Sequence, residues 1–106
     1  MITINFADDN DVVFGVPLDD DNYKIRLCWN KEGQFWALHL WDENDDVILA
    51  NVRVVPNFPL LLNHHLDDAP RGELLVLTKA DTLTRQCFQD GSATLVYVTE
   101  KEFYGR

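Results

Sequence analysis

The chain has 106 residues, a formal net charge of −9 and 46% hydrophobic residues. That length is one domain with a single modest core, and the apolar fraction is that of a folded protein. Nine basic against eighteen acidic residues leave no basic face to release counterions from nucleic acid, which excludes direct nucleic-acid recognition and disfavours anionic membranes.

The longest apolar runs are about five residues, far below the roughly twenty that span a bilayer. The opening MITINFADDNDVVF lacks a basic and then apolar leader, so synthesis in the cytoplasm is expected. Cys28 and Cys87 are the two cysteines. They form no C-x-x-C pair and sit beside Trp29 and Phe88, where a thiol packs as a small hydrophobe.

In chain order, TINF (3–6) predicts a short first strand or arm. DVVFGVPL (11–18) predicts an edge strand or bend, because Gly15 and Pro17 limit it. NYKIRLCWN (22–30) alternates, with Tyr23, Ile25, Leu27 and Trp29 on one face and Lys24, Arg26, Cys28 and Asn30 on the other. NKEG (30–33) predicts a type I turn closed by a glycine bulge, with Gly33 at positive φ. That turn sets Trp29 opposite Phe35, Leu27 opposite Ala37, Ile25 opposite His39 and Tyr23 opposite Trp41. Cys28, Trp36, Leu38 and Leu40 then share the other face, so the strand after the glycine is apolar on both sides. A half-exposed antiparallel strand is not built that way. Either two cores cover it or one face meets another chain.

DENDD (42–46) is the next turn and VILANVRVV (47–55) the next strand. PNFPLLLNHHLDDAPRG (56–72) carries three of the four prolines and reads as an ordered loop. ELLVLTK (73–79) is a strand, ADTLTRQCFQDG (80–91) a loop with room for one helical turn, and ATLVYVTE (93–100) the last strand. The expected fold is all-β, a small antiparallel barrel or sandwich of six to seven short strands, in a single domain over 1–106.

Catalytic and metal chemistry is sparse. Asp42-x-Asn44-x-Asp46 has the opening spacing of a calcium loop, but the sixth position is Val47 and the twelfth Arg53. The alternative is an acidic turn whose side chains cap backbone N–H groups. His64 and His65 precede Asp67 and Asp68, yet adjacent residues of an extended chain point apart, and His39 completes no zinc signature. No nucleophile elbow, P-loop or dinucleotide fingerprint occurs. The expectation is no enzyme, no metal and no cofactor.

The order of segments carries one resemblance. A strand Trp36, Ala37, Leu38, His39, Leu40, Trp41, Asp42 follows the turn glycine. After an acidic turn and a strand come the corner Asn57, Phe58, Pro59, Leu60, Leu61, then Gly72, Glu73, Leu74. Thr84 and Arg85 follow, and Leu95, Val96, Tyr97, Val98 end the pattern. Over about 22–100 this resembles the baseplate plug-like proteins of contractile-tailed phages and prophages, with 1–21 left as an N-terminal arm and edge strand. Two positions depart from the pattern: Ala37 replaces an aromatic residue and Asn57 a glycine, and Asn also accepts left-handed backbone.

The resemblance implies a virion structural protein that closes or lines the lower end of the tail tube. Its partners would be hub or tail-tube proteins and further copies of itself, in the particle after assembly in the host cytoplasm. Trp41, Phe58, Leu60 and Leu61 are the expected subunit contacts. One rival is an acidic inhibitor that mimics DNA on a host enzyme, although the acids bunch at turns. Another is a small ligand-binding barrel with tryptophan platforms, which needs exposed rings.

Overall fold

The computed structural model describes residues 1–61 and 70–104. Its elements in chain order are β1 (Ile2–Ile4), β2 (Asp11–Leu18), β3 (Asp21–Asn30), β4 (Phe35–Trp41), β5 (Val47–Arg53), β6 (Glu73–Thr78), β7 (Ala93–Val98) and a closing helical turn α1 (Glu100–Tyr104). The strands form two antiparallel sheets, ordered β1-β7-β6 and β2-β3-β4-β5. Of the two expected architectures the chain adopts the sandwich; the sheets do not close into a barrel.

Two-residue periodicity decides which side chains go inside. Tyr23, Ile25 and Leu27 of β3, with Trp36, Leu38 and Leu40 of β4, meet Ile4, Leu74, Val76, Leu95 and Tyr97 of the other sheet in one core. Trp36 is 1% exposed, and its indole N–H donates to the Thr84 carbonyl at 3.1 Å. Phe88 packs edge-on against Trp36, and Phe6 against Phe88. These aromatic contacts seal the end of the sandwich where the β1–β2 connection and the 84–92 loop meet.

The turns depend on polar residues that tolerate left-handed backbone. Asp19 and Asp20 join β2 to β3 with φ of 52° and 71°, the two-residue turn whose twist suits a hairpin. The β3–β4 connection corrects the expected register. Gly33 does not hold the positive φ; Gln34 does, at 58°. The Gln34 N–H bonds to the Asn30 carbonyl at 2.8 Å, and the Gly33 N–H bonds to the Asn30 side chain. The loop therefore has one more residue than expected, and a one-residue change moves every partner. Trp29 opposes Trp36, Leu27 opposes Leu38, Ile25 opposes Leu40 and Cys28 opposes Ala37. Trp36, Leu38 and Leu40 thus join the Tyr23–Ile25–Leu27–Trp29 face, and Cys28 lies on the opposite face with Ala37, His39 and Trp41.

Beyond β5 the chain crosses to the other sheet. Val54 N–H still bonds to the Trp36 carbonyl, whereas Asn57 N–H bonds to Val76 and Leu60 N–H to Leu74. Asn57 adopts the left-handed φ of 59°, and its amide both accepts from and donates to the Thr78 backbone. In this way residues 57–60 cover the open edge of β6. The last strand ends at Val98 rather than 100, because Thr99 and Glu102 form a reciprocal cap that opens α1. No α-helix forms in the 80–91 loop, which is built of turns.

Candidate functional site

The outward side of β4 is where a contact face was expected. Phe35, Ala37, His39 and Trp41 point away from the core, and Lys24, Arg26 and Cys28 neighbour them on β3. Ala37 is 5% exposed; Phe35, His39 and Trp41 are half-buried. Arg53 lies over the Phe35 ring at 4.9 Å. His39 stacks on Trp41 with ring centroids 5.8 Å apart, and Val47, 58% exposed, stands across from Trp41.

Polar groups fix this face. Arg26 grips Asp11 with two hydrogen bonds of 2.8 and 2.6 Å, which hold the Asp11 carboxyl at about 2 and push the guanidinium further up. The Cys28 thiol donates to the same carboxylate at 3.4 Å, and burial followed by that bond raises its pKa, which favours the protonated thiol. His39 Nδ1 accepts the Asn51 N–H at 3.1 Å. Asn51 is a left-handed residue, φ 53°, where the β4–β5 register shifts. Burial and then Arg26 lower the His39 pKa, which keeps the ring neutral and able to accept.

The four residues expected as contacts separate into two kinds. Trp41 is half-buried on the outward face, and Phe58 is 42% exposed beside Val55, 44% exposed. Leu60 and Leu61 are 3% and 0% exposed; they belong to the core and present no surface of their own. Trp41 and Phe58 are not one patch. Trp41 pairs with Val47 at the start of β5, whereas Phe58 follows the end of β5 in the segment bonded to β6.

Acids gather at one end of the four-stranded sheet. The β2–β3 and β4–β5 turns emerge at one end of the four-stranded sheet, bringing Asp19, Asp20 and Asp21 together with Asp42, Glu43, Asp45 and Asp46. Lys24, paired with Asp45 at 2.7 Å, is the cation among them. The calcium-like spacing is an acidic turn: Asp42 Oδ1 accepts the N–H groups of Asn44 and Asp46, each at 2.9 Å. No cluster of three metal-ligating side chains occurs among the described residues; His64, His65, Asp67 and Asp68 lie outside them.

The profile of one protein family covers nearly the whole chain, residues 1–100. The chain belongs to the cyanophage baseplate plug family. The family is described as cyanophage baseplate Pam3 plug gp18. The match reaches past the 22–100 of the sequence resemblance and takes in β1 and β2, so the N-terminal arm is part of the family fold. A plug of this family is a structural baseplate protein. No curated protein matches the chain. Among the described residues, no helix is long and apolar enough to cross a membrane.

Sequence reasoning missed the Asp11–Arg26 clamp, since the two are joined only by the β2–β3 register. It also missed α1, although Thr99-x-x-Glu102 is a capping signature legible in the sequence.

Proposed function

We infer that this plug-family chain sits at the baseplate hub of a contractile tail and closes or lines the lower end of the tail tube. The observation that carries the reading is the family match across residues 1–100. The crowding of carboxylates into the two turns at one end of the sheet supports it, because such an end repels DNA that must pass without adhering. Trp41 and Phe58 are the contact residues in this reading, one at each end of β5, with Leu60 and Leu61 in the core after Phe58. Two separated anchors suit a chain that bridges neighbours, which include further copies and hub or tube proteins.

Purified particles test this directly. Antibody-gold labelling should mark the distal end of the tail tube. A chain carrying Trp41→Ser and Phe58→Ser should fold but fail to enter particles. Normal incorporation of the folded double variant would refute the assigned contacts, and absence of the chain from infectious particles would refute the baseplate role. Recovery on a host enzyme in place of particles would favour the acidic-inhibitor reading.

A further inference from the structure

The sandwich has four sheet edges, and they are treated differently. β1 is short, three residues. β6 is covered by the Asn57 and Leu60 bonds. β5 carries two register shifts against β4 and the left-handed Asn51, the irregularity that keeps an edge from pairing. β2 is unlike these. Its eight residues pair with β3 without interruption, and no described strand pairs with its other side.

The hydrogen-bond phase of β2 follows from one contact. The Trp29 N–H donates to the Asn10 carbonyl at 2.7 Å, so alternate pairs from there exchange bonds: Val12 with Leu27, Phe14 with Ile25, Val16 with Tyr23. Asp11, Val13, Gly15 and Pro17 therefore aim their backbone groups at the open edge. All four are exposed, and Val13 is 54% exposed. Pro17, which has no N–H, occupies an edge-facing position.

Gly15 has no purpose in the single chain. Its φ is not in the left-handed region, and an added Cβ would meet nothing nearer than the Tyr23 carbonyl at 3.9 Å. A glycine within a strand weakens it and often marks close approach by another backbone.

We propose that the open edge of β2 pairs antiparallel with the same edge of a second copy across a two-fold axis centred on Val13. In that register Asp11 exchanges bonds with the second copy's Gly15, Val13 with its own counterpart, and Gly15 with the second copy's Asp11. Every N–H and carbonyl of these three residues finds a partner. Centring one residue later instead sets Pro17 opposite Asp11 and leaves a carbonyl without a donor, and centring one residue earlier pairs only Asp11 to Val13 within the strand. Side chains agree. Gly15 neighbours Lys24 within its own chain, so Lys24 and the second copy's Asp11 share a face with no Cβ between them. At each end of the shared edge the Arg26-clamped Asp11 meets only the hydrogen of Gly15, so no like charge stands opposite it. The exposed Val13 pair and the half-buried Val12, Phe14 and Val16 gain cover in the joined eight-stranded sheet. This pairing concerns the chain in solution and stands apart from the plug reading.

Sedimentation equilibrium of the full chain is the test. The wild type should show a reversible monomer–dimer equilibrium. Gly15→Glu places an acid beside Lys24 within the chain and opposite Asp11 of the second copy, so it should keep the fold and weaken dimerisation about tenfold. Val13→Asp sits beside Arg26 and should act alike, and mixing it with Val13→Lys should restore a heterodimer. Val47→Asp, on the β5 edge, should leave the dimer intact. A wild type that stays monomeric at its highest soluble concentration overturns the proposal, as does one that forms trimers. Dimerisation of folded Gly15→Glu at wild-type strength also overturns it, and should Val13→Asp fail to fold, Gly15→Glu decides alone.

Discussion

Removing the Tyr97 hydroxyl tests how the two sheets are held together. Tyr97 lies in β7, fully buried. Its hydroxyl accepts the Gly72 N–H at 2.9 Å and donates to Asp19 in the β2–β3 turn of the other sheet. Tyr97→Phe leaves the ring contacts in place, so no cavity penalty arises. Asp19 is exposed and returns to water. Gly72 is buried, and its N–H is left without an acceptor, which costs about 1–3 kcal/mol. No side chain replaces the lost hydroxyl, because Gly72 is itself pressed against Tyr97 and the Val98 carbonyl. With a urea slope of about 1–3 kcal/mol per molar, a loss of about 2 kcal/mol lowers the midpoint by about 1 M. Asp19→Asn keeps an oxygen acceptor and tolerates the positive φ, so it should cost less than half as much. Tyr97→Phe within about 0.5 kcal/mol of the wild type, the scale of a neutral surface change, would refute the argument. The same geometry sets a sign at alkaline pH. Burial first, and then Asp19, raise the Tyr97 pKa above its ordinary 10.0. The folded state therefore keeps the proton longer than the unfolded chain, and stability is full below about pH 10 and declines as pH rises above it.

Three other outcomes follow from single contacts. The Asp11 carboxyl, lowered to about 2 by the Arg26 hydrogen bonds, should show an NMR titration midpoint near that value. Its stabilisation is present above the ordinary 3.8 and is lost as pH falls through 2; both side chains are more than a third exposed, so Asp11→Asn should cost at most about 0.5–1 kcal/mol. Gln34→Gly should raise stability by up to about 1 kcal/mol in thermal denaturation, because a left-handed φ of 58° strains any side chain but not glycine; a clear loss would show that the Gln34 amide bond to Lys31 outweighs the strain. Excess calcium should leave the melting temperature unchanged, because Asp42 already serves two backbone N–H groups; a rise of several degrees would reveal native-state binding.

Strand existence was legible because it rests on local alternation. Tyr23, Ile25 and Leu27 announce an inward face whatever lies across from them, and all are buried. The acidic turn at Asp42 was equally readable, since its side chain bonds to residues two and four further on. Asn57 was readable as a left-handed corner through the family resemblance, in which a glycine holds that position. Which residues oppose one another was not legible, because it turned on whether Gly33 or Gln34 takes the left-handed conformation. That single backbone choice moved Trp36, Leu38 and Leu40 from the face of Cys28 to the inward face of Tyr23, Ile25 and Leu27.

Leu60 and Leu61 show a second limit. In sequence they are apolar residues of a proline-rich loop, equally suited to a core or a contact. Only the bonds from Asn57 and Leu60 to β6 bring them under the other sheet. The edge of β2 is the third case. Gly15 and Pro17 mark an edge strand in the sequence, but the direction in which their backbone groups point comes from pairing with β3. The sequence alone determined what local sterics and two-residue periodicity control: strands, turns and the residues that favour the interior. The tertiary structure decided register, edges and the far side of each sheet, because these depend on hydrogen bonds between residues distant along the chain.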